Sequence, residues 1–179
     1  TRQVECWGGN ASGQLGDGTT SDHTRPELVP GLSDVIDVAV GRGHSCALQS
    51  AGTVACWGDN SKGQVGVGDR VDRLTPTAVS GLTDAVELRS GNFSSCARRA
   101  SGAVVCWGEN LFGQLGDGTT TTRTVPVDVL GVTDAIGLTV GTTQACALRA
   151  GGQIFCWGSN RRGELGLPAQ WSPAPIVVP

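Results

Sequence analysis

Cys6-Trp7-Gly8-Gly9-Asn10-Ala11-Ser12-Gly13-Gln14-Leu15-Gly16-Asp17-Gly18-Thr19-Thr20 opens a pattern that the chain repeats. Cys-Trp-Gly returns at Cys56-Trp57-Gly58, Cys106-Trp107-Gly108 and Cys156-Trp157-Gly158, a spacing of 50 residues without slip. Asn10, Asn60, Asn110 and Asn160 follow in step, as do Gly13, Gly63, Gly113 and Gly163, then Gly16, Gly66, Gly116 and Gly166. The rest of the unit recurs three times: Pro26, Pro76 and Pro126, then Val29, Val79 and Val129, then Gly41, Gly91 and Gly141 ahead of Cys46, Cys96 and Cys146. Self-similarity at such a period marks a repeat architecture, in which each unit buries its apolar face against its neighbours. We read residues 1–179 as a single repeat domain with units 1–50, 51–100, 101–150 and a partial 151–179. The last unit is degenerate: Leu167-Pro168-Ala169-Gln170-Trp171 follows Gly166, where Asp-Gly-Thr-Thr follows Gly16 and Gly116.

Each unit reads as strands. Val35-Ile36-Asp37-Val38-Ala39-Val40 alternates with period two, as a sheet strand does. Ser45–Leu48 and Thr53–Trp57 flank Gln49-Ser50-Ala51-Gly52, which predicts a short hairpin with Gly at the turn. A fourth short strand falls near Pro26–Val29, and its proline places it at a sheet edge because proline cannot donate to the ladder. The 28 glycines oppose a helix bundle, since each interior Gly costs roughly 1 kcal/mol relative to Ala. Four strands per repeat predict an all-β fold, a β-propeller of four-stranded blades. About three and a half units make a partial propeller, or half of a seven-bladed ring.

The cysteines follow the same count. Cys46 and Cys56, Cys96 and Cys106, and Cys146 and Cys156 each lie ten apart around the same hairpin. If the turn centres on residue 51, Cys46 stands opposite Cys56, within disulfide reach. Free core thiols and a metal site compete with that reading. The metal reading lacks clustered ligands, with His23 and His44 the two histidines. Disulfides place the chain in an oxidising compartment: extracellular, cell-surface or periplasmic. Cys6 is left over, its mate falling five residues before Thr1. That odd thiol and the unpaired blade edges predict self-association or the remainder of a longer chain.

The unit Cys-Trp-Gly-x-Asn-x-x-Gly-Gln-Leu-Gly-Asp-Gly-Thr-Thr, then Pro-x-x-Val, then Gly-x-x-His-Ser-Cys-Ala-Leu closely resembles the regulator-of-chromosome-condensation repeat. Its cysteines are similar to those of the bacterial secreted or surface branch. The resemblance implies a propeller, usually of seven blades, and members that act as exchange factors, chromatin-docking modules, enzyme inhibitors or scaffolds. The expected function is a non-enzymatic extracellular protein-interaction or structural module. The alternative is a propeller like a guanine-nucleotide exchange factor or an enzyme inhibitor. The unbroken spacing leaves no room for an inserted catalytic loop. The net charge of −3 opposes nucleic acid as a partner, and no apolar run is long enough to span a membrane. No cofactor is expected.

Repeated residues read as framework. Trp7, Trp57, Trp107 and Trp157 are expected between blades, and Asp17 and Asp117 as turn formers rather than calcium ligands. Recognition belongs to positions that differ between units. One set is Arg42-Gly43-His44, Asn92-Phe93-Ser94 and Thr142-Thr143-Gln144. The other is Ala11-Ser12, Ser61-Lys62, Leu111-Phe112 and Arg161-Arg162. The candidate partner-binding residues are Arg42, His44, Lys62, Asn92, Phe93, Leu111, Phe112, Gln144, Arg161 and Arg162. His44 beside Ser45 is read as packing at a blade end, not as a catalytic base.

Overall fold

The computed structural model describes residues 2–166, 168 and 171–178. Three four-stranded antiparallel sheets follow one two-stranded sheet. The two-stranded sheet holds β1 (Glu5–Gly8) and β2 (His23–Leu28). The first full blade holds β3 (Val35–Val40), β4 (His44–Gln49), β5 (Val54–Gly58) and β6 (Arg73–Ala78). The second holds β7 (Ala85–Ser90), β8 (Ser94–Arg99), β9 (Val104–Gly108) and β10 (Arg123–Asp128). The third holds β11 (Ala135–Val140), β12 (Gln144–Arg149), β13 (Ile154–Ser159) and β14 (Trp171–Val177).

Within each full blade the strands run in sequence order. β3, β7 and β11 touch one another across blades and form the inner layer. The proline-bearing strands β2, β6, β10 and β14 lie at the outer edges, where the missing N–H breaks no ladder. Blades and sequence units are out of phase. Each sequence unit closes one blade with its first half and opens the next blade with its second. The degenerate final unit therefore supplies the last two strands of a complete third blade, and the half-blade is the first. Of the degenerate stretch, Leu167, Ala169 and Gln170 lie outside the described residues.

The hairpin register puts Cys46 opposite Cys56, Cys96 opposite Cys106 and Cys146 opposite Cys156. Gln49 N–H donates to the Thr53 carbonyl, so by alternation the cysteine pair is a narrow, non-hydrogen-bonded one. The three pairs are disulfides with Cα separations of 4.0, 4.1 and 4.1 Å. Each closes a short loop and contributes roughly 2–3 kcal/mol by chain entropy.

Tryptophan joins one blade to the next. Trp57, Trp107 and Trp157 are buried, and each indole N–H donates at 2.9 Å to the carbonyl of Gln14, Gln64 or Gln114 in the preceding loop. Gly66 permits that contact: a Cβ there would stand 2.8 Å from Trp107 Nε1, and its φ is +81°. Trp7 departs from this expectation. It is 62% exposed, and no loop of a preceding unit packs on it among the described residues.

Candidate functional site

Strands β3 and β5 end, and β4 and β6 begin, at the same end of their blade. The β3–β4 turn and the β5–β6 connection therefore emerge on one face, as do their counterparts in the other blades. Backbone bonds lock them together: Asp59 N–H donates to the Gly43 carbonyl, Glu109 to Phe93 and Ser159 to Thr143. The two sets of variable residues, separate in sequence, share this face.

The longer connection is held from inside by framework side chains. Asn60 Oδ1 accepts from Val65 N–H, and its amide donates to the Asp69 and Val71 carbonyls. Asn10 and Asn110 do the same in their own units. Asp17 accepts from the Thr19 N–H and hydroxyl and pairs with His23 at 2.8 Å. Burial pushes its pKa up, but those hydrogen bonds, the Asn10 amide and the His23 charge together hold it below the usual carboxylate range. In the second unit, where Val67 replaces that aspartate, Asp69 takes over, accepting from Val71 N–H and pairing with Arg73 at 2.6 Å. The carboxylates thus serve turns.

On this rigid base the variable side chains group in three places. Arg42 stacks on Phe93, 5.6 Å from the ring centroid, and its N–H donates to the Asn92 carbonyl. Lys62 Nζ lies 3.8 Å from Glu109 of the next loop. Arg161 stacks on Phe112 at 4.4 Å. Phe112, Gln144, Arg161 and Arg162 line one cavity of about 400 Å³, beside which Leu111 is 60% exposed.

His44 does not join the displayed set. It is the first residue of β4 and is 1% exposed, with Nε2 2.9 Å from Ser95 Oγ of the next blade. Burial lowers its pKa to about 4, the Asp59 charge opposing weakly, so the ring is neutral at pH 7. It packs at the blade end, as expected for a structural residue, but it is unavailable to a partner. Conversely, Asp59 and Glu109 belong to the face and were not singled out. An acidic residue directly after Cys-Trp-Gly in two units was the signal.

A pseudo-repeated propeller arc with one variable loop face defines a class of repeat scaffold. The sequence pattern of the Regulator of chromosome condensation (RCC1) repeat matches residues 3–48, 51–98 and 101–148, and a second pattern for that repeat matches 35–64, 86–114 and 141–164. The chain belongs to this repeat family. No match was found among curated protein sequences. Among solved structures the chain is similar to human WBSCR16, with TM-score 0.87 and 26% identity over 100% of this chain and 48% of that one. Prp20p of Saccharomyces cerevisiae, studied with its binding to Gsp1p and histones, shares the fold at TM-score 0.86 and 20% identity over 99% and 46%. The ectodomain of the Physcomitrella patens receptor kinase CR4 matches at TM-score 0.53 and 27% identity over 88% and 36%. The chain spans about half the length of the first two and about a third of the last. Among the described residues no helix is long and apolar enough to cross a membrane.

Proposed function

We propose that the chain is a non-catalytic protein-binding scaffold whose partner docks on the face formed by the β3–β4 and β5–β6 connections and their counterparts. One observation carries this reading. The positions that differ between units converge on one face, and they include the partly exposed apolar groups Phe93, Leu111 and Phe112 with stacked arginines. Exposed arginine and aromatic side chains on a rigid base are the groups that most often dominate protein interfaces. The Prp20p fold shows a propeller of this type associated with protein ligands, in keeping with the same use here. The burial of His44 and Ser95, at 1% and 0% exposed, favours a packing role for the pair over a catalytic one. The three disulfides support work in an oxidising setting, outside the cell, at its surface or in a periplasm.

The test is replacement of Phe93, Leu111 and Phe112 by Ser, singly and together. Binding to a partner isolated from the source cells should weaken while the circular-dichroism spectrum and melting curve hold. Unchanged affinity in all variants would contradict the reading.

A further inference from the structure

The junction between the second and third blades differs from its sister between the first and second by an exchange of charge. At the sister junction Lys62 is answered at 3.8 Å by Glu109, the residue directly after Cys-Trp-Gly in the next connection. At the later junction Phe112 takes the place of Lys62, Ser159 that of Glu109 and Arg161 that of Leu111. The acid is gone and a cation has entered. Arg161 lies on the Phe112 ring at 4.4 Å, the closest of three such stacks among the described residues. No carboxylate of the described residues stands within ion-pair distance of its guanidinium. Stacking occupies the guanidinium face and leaves the N–H edge to donate.

The cavity of about 400 Å³ at this junction is walled on its other side by the β11–β12 turn. There Thr142 and Thr143 bring hydroxyls, and Gln144 brings an amide whose oxygen already accepts from Thr143 N–H. Glu164 is the acid on the wall. It fills the framework place of Gln14, Gln64 and Gln114, each of which accepts the N–H two residues before it. Backbone N–H bonds and the Arg162 charge hold Glu164 below the usual carboxylate range, so it is ionised and already engaged at neutral pH. Arg161 remains the uncommitted cation. Both walls belong to complete blades. At the sister junction, Leu111, the counterpart of Arg161, is 60% exposed with a blade on either side, so this position opens to the loop face.

We propose that this cavity receives one side-chain carboxylate, of Glu or Asp, carried by the protein that docks on the loop face. This partner chemistry rests on the scaffold reading above. Guanidinium and carboxylate match as planar, two-pronged groups. The Phe112 stack holds Arg161 in place before binding, which lowers the ordering cost. A phosphate fits less well, because its double negative charge would meet one uncommitted guanidinium and the Glu164 carboxylate.

The probes are acetyl-Leu-Glu-Leu-amide and its Gln and phosphoserine counterparts, titrated into the full chain and followed by NMR. The Glu peptide should shift the Arg161 Nε–H signal and the amides of residues 142–144. The Gln peptide should bind at least about fivefold more weakly, the order expected for one charge-assisted contact at an accessible site. Ser159→Glu restores the sister junction's acid beside Arg161 and should lower the Glu peptide's affinity by a similar factor. Arg161→Gln should erase the preference for Glu over Gln. Equal affinity of the wild type for the Glu and Gln peptides, no shift with any peptide, shifts centred on the Lys62–Glu109 junction, or tighter binding of the phosphoserine peptide would overturn the proposal. The loop face is judged separately. Equal Glu and Gln binding, beside loss of the partner in the Phe93, Leu111 and Phe112 variants, would strike the carboxylate and keep the face. A clear Glu preference with partner binding untouched in those variants would do the reverse.

Discussion

His44 should make the fold acid-sensitive through a single ring. Its Nε2 is bound to Ser95 across the blade boundary, and its Nδ1 is buried without a hydrogen-bond partner. The imidazole therefore resists protonation, with its pKa lowered from 6.5 to about 4, chiefly by burial. The folded pKa lies below the unfolded one, so the unfolded chain takes up the proton first as pH falls. The stability held by neutral His44 is complete above pH 6.5 and is lost between there and about pH 4. At about 1.36 kcal/mol per pH unit, roughly 2 to 3 kcal/mol is gone by about pH 4.5. His44→Gln is the informative change, because Gln144 occupies the sister position and does not titrate. Urea unfolding without reductant, on both proteins at about pH 7.5 and 4.5, gives the double difference. Every other group is common to both proteins and cancels in the double difference. The wild type should lose about 2 to 3 kcal/mol more than the variant over that interval. Equal losses would refute the neutral, buried histidine.

Gly66→Ala should destabilise by at least about 2 kcal/mol, from the left-handed backbone and the overlap with Trp107, read as a lower urea midpoint; an unchanged midpoint would contradict the blade contact. Burial pushes the Cys6 thiol above its ordinary range. Its alkylation by iodoacetamide should therefore need higher pH in the native chain than in urea, and matching pH profiles would count against its burial. Non-reducing peptide mapping should return Cys46–Cys56, Cys96–Cys106 and Cys146–Cys156, and any other pairing would break the hairpin register.

Strand order and disulfide pairing were legible because period-two alternation and a symmetric ten-residue spacing are local properties. The proline strands were legible as edges for the same kind of reason, the lost N–H. The phase between unit and blade was not, because periodicity alone does not say which half of a unit pairs with which. Trp7 was misplaced on that account: identity of motif predicts identity of environment only when both neighbours are present. His44 sits in a variable position yet turns inward, and its neighbour Ser95 comes from the next unit, a contact invisible without the ring geometry. The meeting of Phe112 with Arg161, 49 residues on, likewise needs two blades side by side.

The central claim is that one loop face carries the partner. A photo-crosslinking amino acid placed at Phe93, at Leu111 and at Ala51, the last in a hairpin turn at the opposite end of the blade, tests it directly. After exposure to the source cells' surface and secreted proteins, the account predicts that one and the same protein is captured from positions 93 and 111 and not from 51. Capture of that protein from position 51 alone, or of unrelated proteins from 93 and 111, would contradict it.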